Sequence, residues 1–267
     1  MVLPLPVSLT PSKVASFKDC ALAFRFSAID RLPEPPSPWA TKGTLVHRAL
    51  ELLFCAEPPL RTLDTALACL ATARAEMATD PDYVGLHLDA EAESLFAAES
   101  EALVRRYFEL EDPTRVHPIG LELRLEVALG SLTLRGVIDR LDLDADGGLV
   151  VTDYKTGKVP GVVHEQSRLG GVHFYAFLCE QLLGRRPVRV QLLYLSEPVA
   201  IVATPSDQSI RAMEKRALAI WKAVETACDR DDFRPHPSRL CDWCAFREYC
   251  PAFGGDPASA RDLVAVG

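Results

Sequence analysis

Hydrophobic residues change their spacing along this chain, and the changes mark out its elements. Val46, Leu50, Leu53 and Phe54 recur at helical intervals, which predicts an amphipathic helix beginning near Thr41. Ahead of it, Thr10-Pro11 starts a short helix, and Pro33 to Pro38 makes a stiff connector. Two alanine-rich stretches, about 61–79 and 91–110, read as helices separated by Asp80-Pro81-Asp82. Leu121, Leu123, Leu125, Val127 and Leu129 then alternate with polar neighbours. Beyond Gly130-Ser131 the alternation resumes at Leu132 and Leu134, which predicts a β-hairpin. Leu149-Val150-Val151 is apolar enough for a buried strand. A helix near 165–183, weakened by Gly170-Gly171, leads to strands near 188–196 and 199–204. A helix from Ser206 to Cys228 follows, then a cysteine-bearing segment and a loose tail after Gly254-Gly255.

Composition bounds the picture. At 267 residues the chain makes one large domain or two smaller ones, and 48% hydrophobic residues supply a sizeable core. No uninterrupted run of 18 apolar residues suggests a membrane span. A net charge of −8 argues against indiscriminate coating of nucleic acid, although local charge still decides approach. Arg25, Arg31, Lys42, Arg48, Arg135 and Arg140 lie in sequence around the candidate chemistry, as DNA contacts or as solvated face residues. The chain has no G-x-x-x-x-G-K-[ST] phosphate loop, so it is not itself a P-loop helicase. It shows no charged-then-apolar leader with a cleavage site, and a reducing cytoplasm is expected.

The chemistry concentrates around Gly136-Val137-Ile138-Asp139-Arg140 and Thr152-Asp153-Tyr154-Lys155-Thr156-Gly157. On a strand, Asp153 and Lys155 leave the same face while Tyr154 points the other way. The turn-rich Asp144-Ala145-Asp146-Gly147-Gly148 folds the Asp139 strand back beside them. Two acids in one small space repel unless a proton or a divalent cation relieves them. Magnesium or manganese is the natural occupant, and a neighbouring lysine can orient an attacking water. Taken alone, Asp-x-Lys is a weak signal, since salt bridges on strands are ordinary. His47, at the margin of its helix stripe, is a further imidazole ligand or simply a satisfied helix histidine. Glu122 and Glu126 are either exposed-face acids or assistants to the metal.

Cys241-Asp242-Trp243-Cys244 followed by Cys250-Pro251 gives a C-x2-C-x5-C cluster, and Cys20 lies near the other end. Three clustered thiols need a fourth ligand for zinc or an iron–sulfur centre. Trp243, Phe246, Tyr249 and Phe253 are expected to form an apolar shell around it. Cys55, Cys69, Cys179 and Cys228 read as buried small hydrophobes.

Together these motifs resemble the RecB-type nucleases of the PD-(D/E)XK superfamily over nearly the whole length. Gly43-Thr44-Leu45-Val46-His47 is similar to the family's histidine motif, and the other two segments to its Gly-x-x-Asp-Arg and Asp-Tyr-Lys-Thr-Gly motifs. The resemblance implies an α/β fold: a restriction-endonuclease-like mixed sheet flanked by helices, as a single domain over 1–267 with a helical insertion at 55–115. It implies metal ligation by His47, Asp139, Asp153 and the Tyr154 carbonyl, with Lys155 as catalytic lysine. Tyr175 matches the tyrosine of a Gln-x-x-x-Tyr element, but Gly171 stands where glutamine is expected, and Gln166 lies five residues earlier. Relatives among CRISPR-associated nucleases and AddB subunits bind a 4Fe-4S cluster through one N-terminal and three C-terminal cysteines. By that likeness Cys20, Cys241, Cys244 and Cys250 would join the two chain ends, the region 235–253 carrying three of the ligands, with Zn2+ as the rival occupant. The implied function is a Mg2+- or Mn2+-dependent deoxyribonuclease, an exonuclease of DNA repair or recombination acting on single strands or free ends. A catalytically weak DNA-end-binding module and an accessory subunit beside a helicase are the alternatives.

Overall fold

The computed structural model describes residues 2–260, apart from the side chains of 162–170. Chain contacts group it into two units, one of Pro36–Leu125 with Gly136–Ile210 and one of the remaining three segments.

The first of these units begins with helix α3 (Pro38–Cys55), preceded in the chain by α1 (Pro11–Asp19) and α2 (Ala21–Phe24). α3 starts earlier than its apolar stripe suggests, because Pro38 suits the first turn and the Ser37 hydroxyl accepts the Ala40 amide. α4 (Leu63–Met77) and α6 (Ala90–Leu110) are capped in the same manner by Thr62 and Asp89. The Asp80-Pro81-Asp82 interruption is itself a short helix, α5 (Pro81–Val84), with Asp80 as its cap. α4 and α6 pack on α3 rather than standing away from it. Leu50, Leu53 and Phe54 of α3 meet Leu70 of α4, Leu103 and Tyr107 of α6, and Tyr154 and Leu193 of the sheet. Truncating one such buried leucine to alanine costs about 2–5 kcal/mol.

The sheet has five strands in chain order: β1 (His117–Leu129), β2 (Leu132–Leu143), β3 (Leu149–Lys155), β4 (Arg189–Tyr194) and β5 (Val199–Ala203). β1 and β2 form the expected hairpin, with Gly130 at φ 62° supplying the turn. β2 and β3 pair antiparallel, from Leu143↔Leu149 to Arg140↔Thr152. β3 and β4 pair parallel, which requires a crossover, and helix α7 (Val162–Leu183) provides it. α7 runs through Gly170 and Gly171 unbroken, ends at the left-handed Gly184, and packs on β4. β4 and β5 pair antiparallel, so the sheet is mixed.

The other unit holds α1, α2, the tip of the β1–β2 hairpin, most of helix α8 (Asp207–Arg230) and the cysteine segment. α2 continues into one π-helical turn at Arg25–Ile29. Leu9 bridges to the hairpin, its amide donating to Thr133 at 2.8 Å. The cysteine segment is a run of 3-10 turns from Arg239 to Phe253.

Candidate active site

Asp139 and Asp153 follow directly on the Arg140–Thr152 pair, one on each strand, where the β2–β3 ladder ends. Both are buried, and the point where they meet is the Tyr154 main chain. The Tyr154 amide donates to Asp139 Oδ2 at 2.7 Å. The Tyr154 carbonyl lies 3.1 Å from His47 Nε2; a carbonyl can only accept, so that nitrogen carries a proton. His47 Nδ1 then faces Asp139 Oδ2 at 3.5 Å. Lys155 Nζ pairs with Asp153 Oδ2. The strand alternation thus puts acid and lysine on one face, as expected, while Tyr154 turns its ring into the core on the other.

That ring is fixed from behind. Arg140, 1% exposed, donates to the Tyr154 hydroxyl at 2.7 Å and pairs with Glu111 and, at 2.8 Å, with Asp142. Its guanidinium also lies 4.3 Å from the Phe54 ring centroid. Sequence patterns give Arg140 but not its partners Glu111 and Asp142, since their convergence depends on how α6 crosses the sheet.

Close packing brings in two more elements. A side-chain carbon on Gly43 would come within 3.2 Å of Thr156 Oγ1, so the glycine lets α3 approach the end of β3. A carbon on Gly136 would sit 3.1 Å from the Tyr175 ring and 2.9 Å from Leu178. α7 can lie this close to β2 only because the residue is glycine. Burial, then the charges of Asp153, Asp139 and Glu122, push the Tyr175 hydroxyl far above the ordinary tyrosine range, so it stays a neutral donor. His47, Tyr154, Lys155, Thr156, Gly157, Lys158 and Tyr194 line an open pocket of about 310 Å³.

The donor atoms of His47, Glu122 and Asp139 lie within 4.8 Å of one another, a geometry that suits a metal ion. Glu122 therefore departs from the exposed-face default, whereas Glu126 keeps it and pairs with Arg135. Burial opposes a charged His47, yet Asp139 and then Asp153 outweigh it and hold the ring above its ordinary value. Burial raises Asp153 and Glu122 in turn, and repulsion from Asp139 adds to both. This is the signature of acids sharing one space.

The family model of the PD-(D/E)XK nuclease superfamily matches residues 8–251. The chain belongs to that superfamily. Its mixed five-stranded sheet flanked by helices accords with the PD-(D/E)XK fold. Among curated protein sequences none matches it. Among solved structures, a candidate exonuclease from Eubacterium rectale is similar at TM-score 0.55 and 12% identity, over 89% of this chain and 87% of the other. SSO0001 aligns over 92% of this chain and 86% of its own at TM-score 0.43 and 12% identity. At 12% identity the likeness to the Eubacterium rectale structure is one of fold.

Cys20, Cys241, Cys244 and Cys250 lie in the other unit. All four are half-buried, and Cys244 is raised by burial, with Cys20, Cys241 and Cys250 close enough to add to the effect. The His236 amide donates to Cys20 Sγ at 3.4 Å and the Ser238 amide to Cys241 Sγ at 3.3 Å. The expected aromatic shell is only half right. Phe246 is buried, with Tyr249 and the unanticipated Phe26 beside it, but Trp243 is 88% exposed and Phe253 is also exposed. Cys179 and Cys228 are buried as expected, Cys69 is half-buried, and Cys55 is exposed at the end of α3.

The basic residues expected around the site are mostly committed elsewhere. Arg25 pairs with Asp30 and Asp231, Lys42 with Glu99, and Arg48 with Glu51 and Glu76. Arg25, Lys42 and Arg140 are also buried, so they form no basic face. Among the described residues no helix is long and apolar enough to cross a membrane.

Proposed function

We propose that this protein is a Mg2+- or Mn2+-dependent deoxyribonuclease of the RecB exonuclease type, working in the cytoplasm on DNA with free ends, in repair or recombination. The observation that carries the reading is the convergence of His47, Asp139, Asp153 and Lys155 around the Tyr154 main chain, within a nuclease superfamily. The donor set fits a divalent ion: one imidazole, buried carboxylates and a backbone carbonyl, with carboxylate repulsion that a cation would relieve. His47, Asp139, Asp153 and the Tyr154 carbonyl would hold it. When bound, the ion supplies positive charge to the scissile phosphate.

The remaining work falls to the chain itself. Lys155 extends its ammonium from Asp153 into the open pocket, where it orients the attacking water. Lys158 adds positive charge at the same wall. Tyr175, held neutral, donates a hydrogen bond toward the phosphate oxygens. Substituting alanine at Lys155 or Asp153 should abolish phosphodiester cleavage while circular dichroism stays unchanged. Cleavage at the wild-type rate in either variant defeats the assignment.

For the thiols we infer a 4Fe-4S cluster on Cys20, Cys241, Cys244 and Cys250. Backbone amides aimed at the sulfurs and the Phe26–Phe246–Tyr249 shell suit thiolate ligands.

A further inference from the structure

Of the three tryptophans, Trp39 alone belongs to the unit that holds the acid–lysine site, and it is 73% exposed. Single exposed hydrophobics are ordinary, so position decides whether this one has a role. Trp39, Gly43 and His47 follow one another at four-residue intervals and form one ridge along α3. His47 meets the Tyr154 carbonyl, and Gly43 lies against Thr156. Four residues back along the helix thus correspond to two residues onward from β3. One more step of that size leads to Trp39 on the helix and to Lys158, which lines the pocket. The ridge carries the indole to the Lys158 side of the site, about 12 Å along the helix axis from His47.

The ring is also held in place. The Lys42 ammonium lies 4.8 Å from its centroid and 5.8 Å from that of Phe96. Lys42 is itself buried and paired with Glu99 of α6. A cation anchored on a second helix fixes the indole and leaves most of its surface open. An incoming planar group then meets a pre-organised surface, with little side-chain freedom left to lose.

The chain offers little charge to grip phosphates. Its net charge is −8, and Arg25, Lys42 and Arg140 are buried in ion pairs. A bound strand must gain affinity from its bases, and a base is free to stack on an aromatic ring only when it is unpaired. We propose that Trp39 stacks on an unpaired base of single-stranded DNA, with Lys158 taking a neighbouring phosphate as the strand continues to Lys155 and the acids. This rests on the nuclease reading and names single strands as the substrate the site takes best.

The experiment compares a labelled oligothymidylate, a strand of equal length built of abasic nucleotides, and a blunt duplex. Binding is read by fluorescence anisotropy in chelator, on wild type, Trp39→Ala and Trp39→Phe. Trp39→Ala should weaken oligothymidylate binding about tenfold and leave the abasic strand and the duplex unaffected, and Trp39→Phe should recover most of the loss. With Mn2+, Trp39→Ala should raise KM on single strands about tenfold and change kcat by less than about twofold. Wild-type binding of oligothymidylate by Trp39→Ala, or an equal loss on the abasic strand, overturns the stacking role. Mn2+-dependent cleavage by wild type then leaves the nuclease reading standing, whereas its absence defeats that reading whatever the anisotropy shows.

Discussion

Tyr154 does different jobs with its two halves. Its main chain holds Asp139 and His47 in place, and its ring is bolted to Arg140 on the opposite face. The site therefore inherits the rigidity of the core. Its protonation has a clear direction. Asp139 and Asp153 favour the charged His47 over the opposing effect of burial, so the imidazolium stabilises the metal-free fold at low pH. That contribution is lost as pH rises through the raised value. A bound cation needs the neutral ring and ionised Glu122 and Asp153, both of which hold their protons unusually firmly, chiefly through burial. Mn2+-induced stabilisation should therefore grow from about pH 5.5 to about pH 8, around the ordinary histidine range. A thermal shift flat across that window would contradict the arrangement. Much of this was legible in the residues: the i, i+2 spacing gives Asp153 and Lys155 one face. Glu122 reads like Glu126 as an exposed-face acid or a metal assistant, and only the fold separates the two, bringing Glu122 to His47 and Asp139 and leaving Glu126 with Arg135.

Element boundaries follow the caps and prolines closely, and what escapes is lateral packing. Ser37-Pro38 starts α3 and Asp89 starts α6, yet nothing in either segment states that Glu111, past the end of α6, would meet Arg140 on β2. That meeting buries a guanidinium between two carboxylates, Asp142 being raised by burial ahead of the opposing pull of Arg140. Removing one member of such a group leaves uncompensated charge in the core. Arg140→Leu should lower unfolding stability by about 3–5 kcal/mol, measured by urea titration. A loss below about 1 kcal/mol would show that the network adds little to the fold.

The acid–lysine site and the four cysteines Cys20, Cys241, Cys244 and Cys250 fall in separate units of the chain. Cysteine spacing marked the four thiols and their neighbours Phe246 and Tyr249, whereas Phe26 required the structure, since it lies within the π-helical turn, far along the chain from the cysteine segment. Cys20→Ser should bleach the absorbance near about 400 nm expected of an iron–sulfur protein and lower bound iron, and Cys55→Ser should change neither. Colourless wild-type protein carrying stoichiometric zinc would replace the cluster with the rival metal. The nuclease claim is tested most directly by digesting end-labelled single- and double-stranded DNA with Mn2+, with chelator, and with Asp139→Asn in place of wild type. The account predicts labelled nucleotide release by wild type with Mn2+ and none in the other two reactions. Equal release with chelator, or by Asp139→Asn, would contradict it.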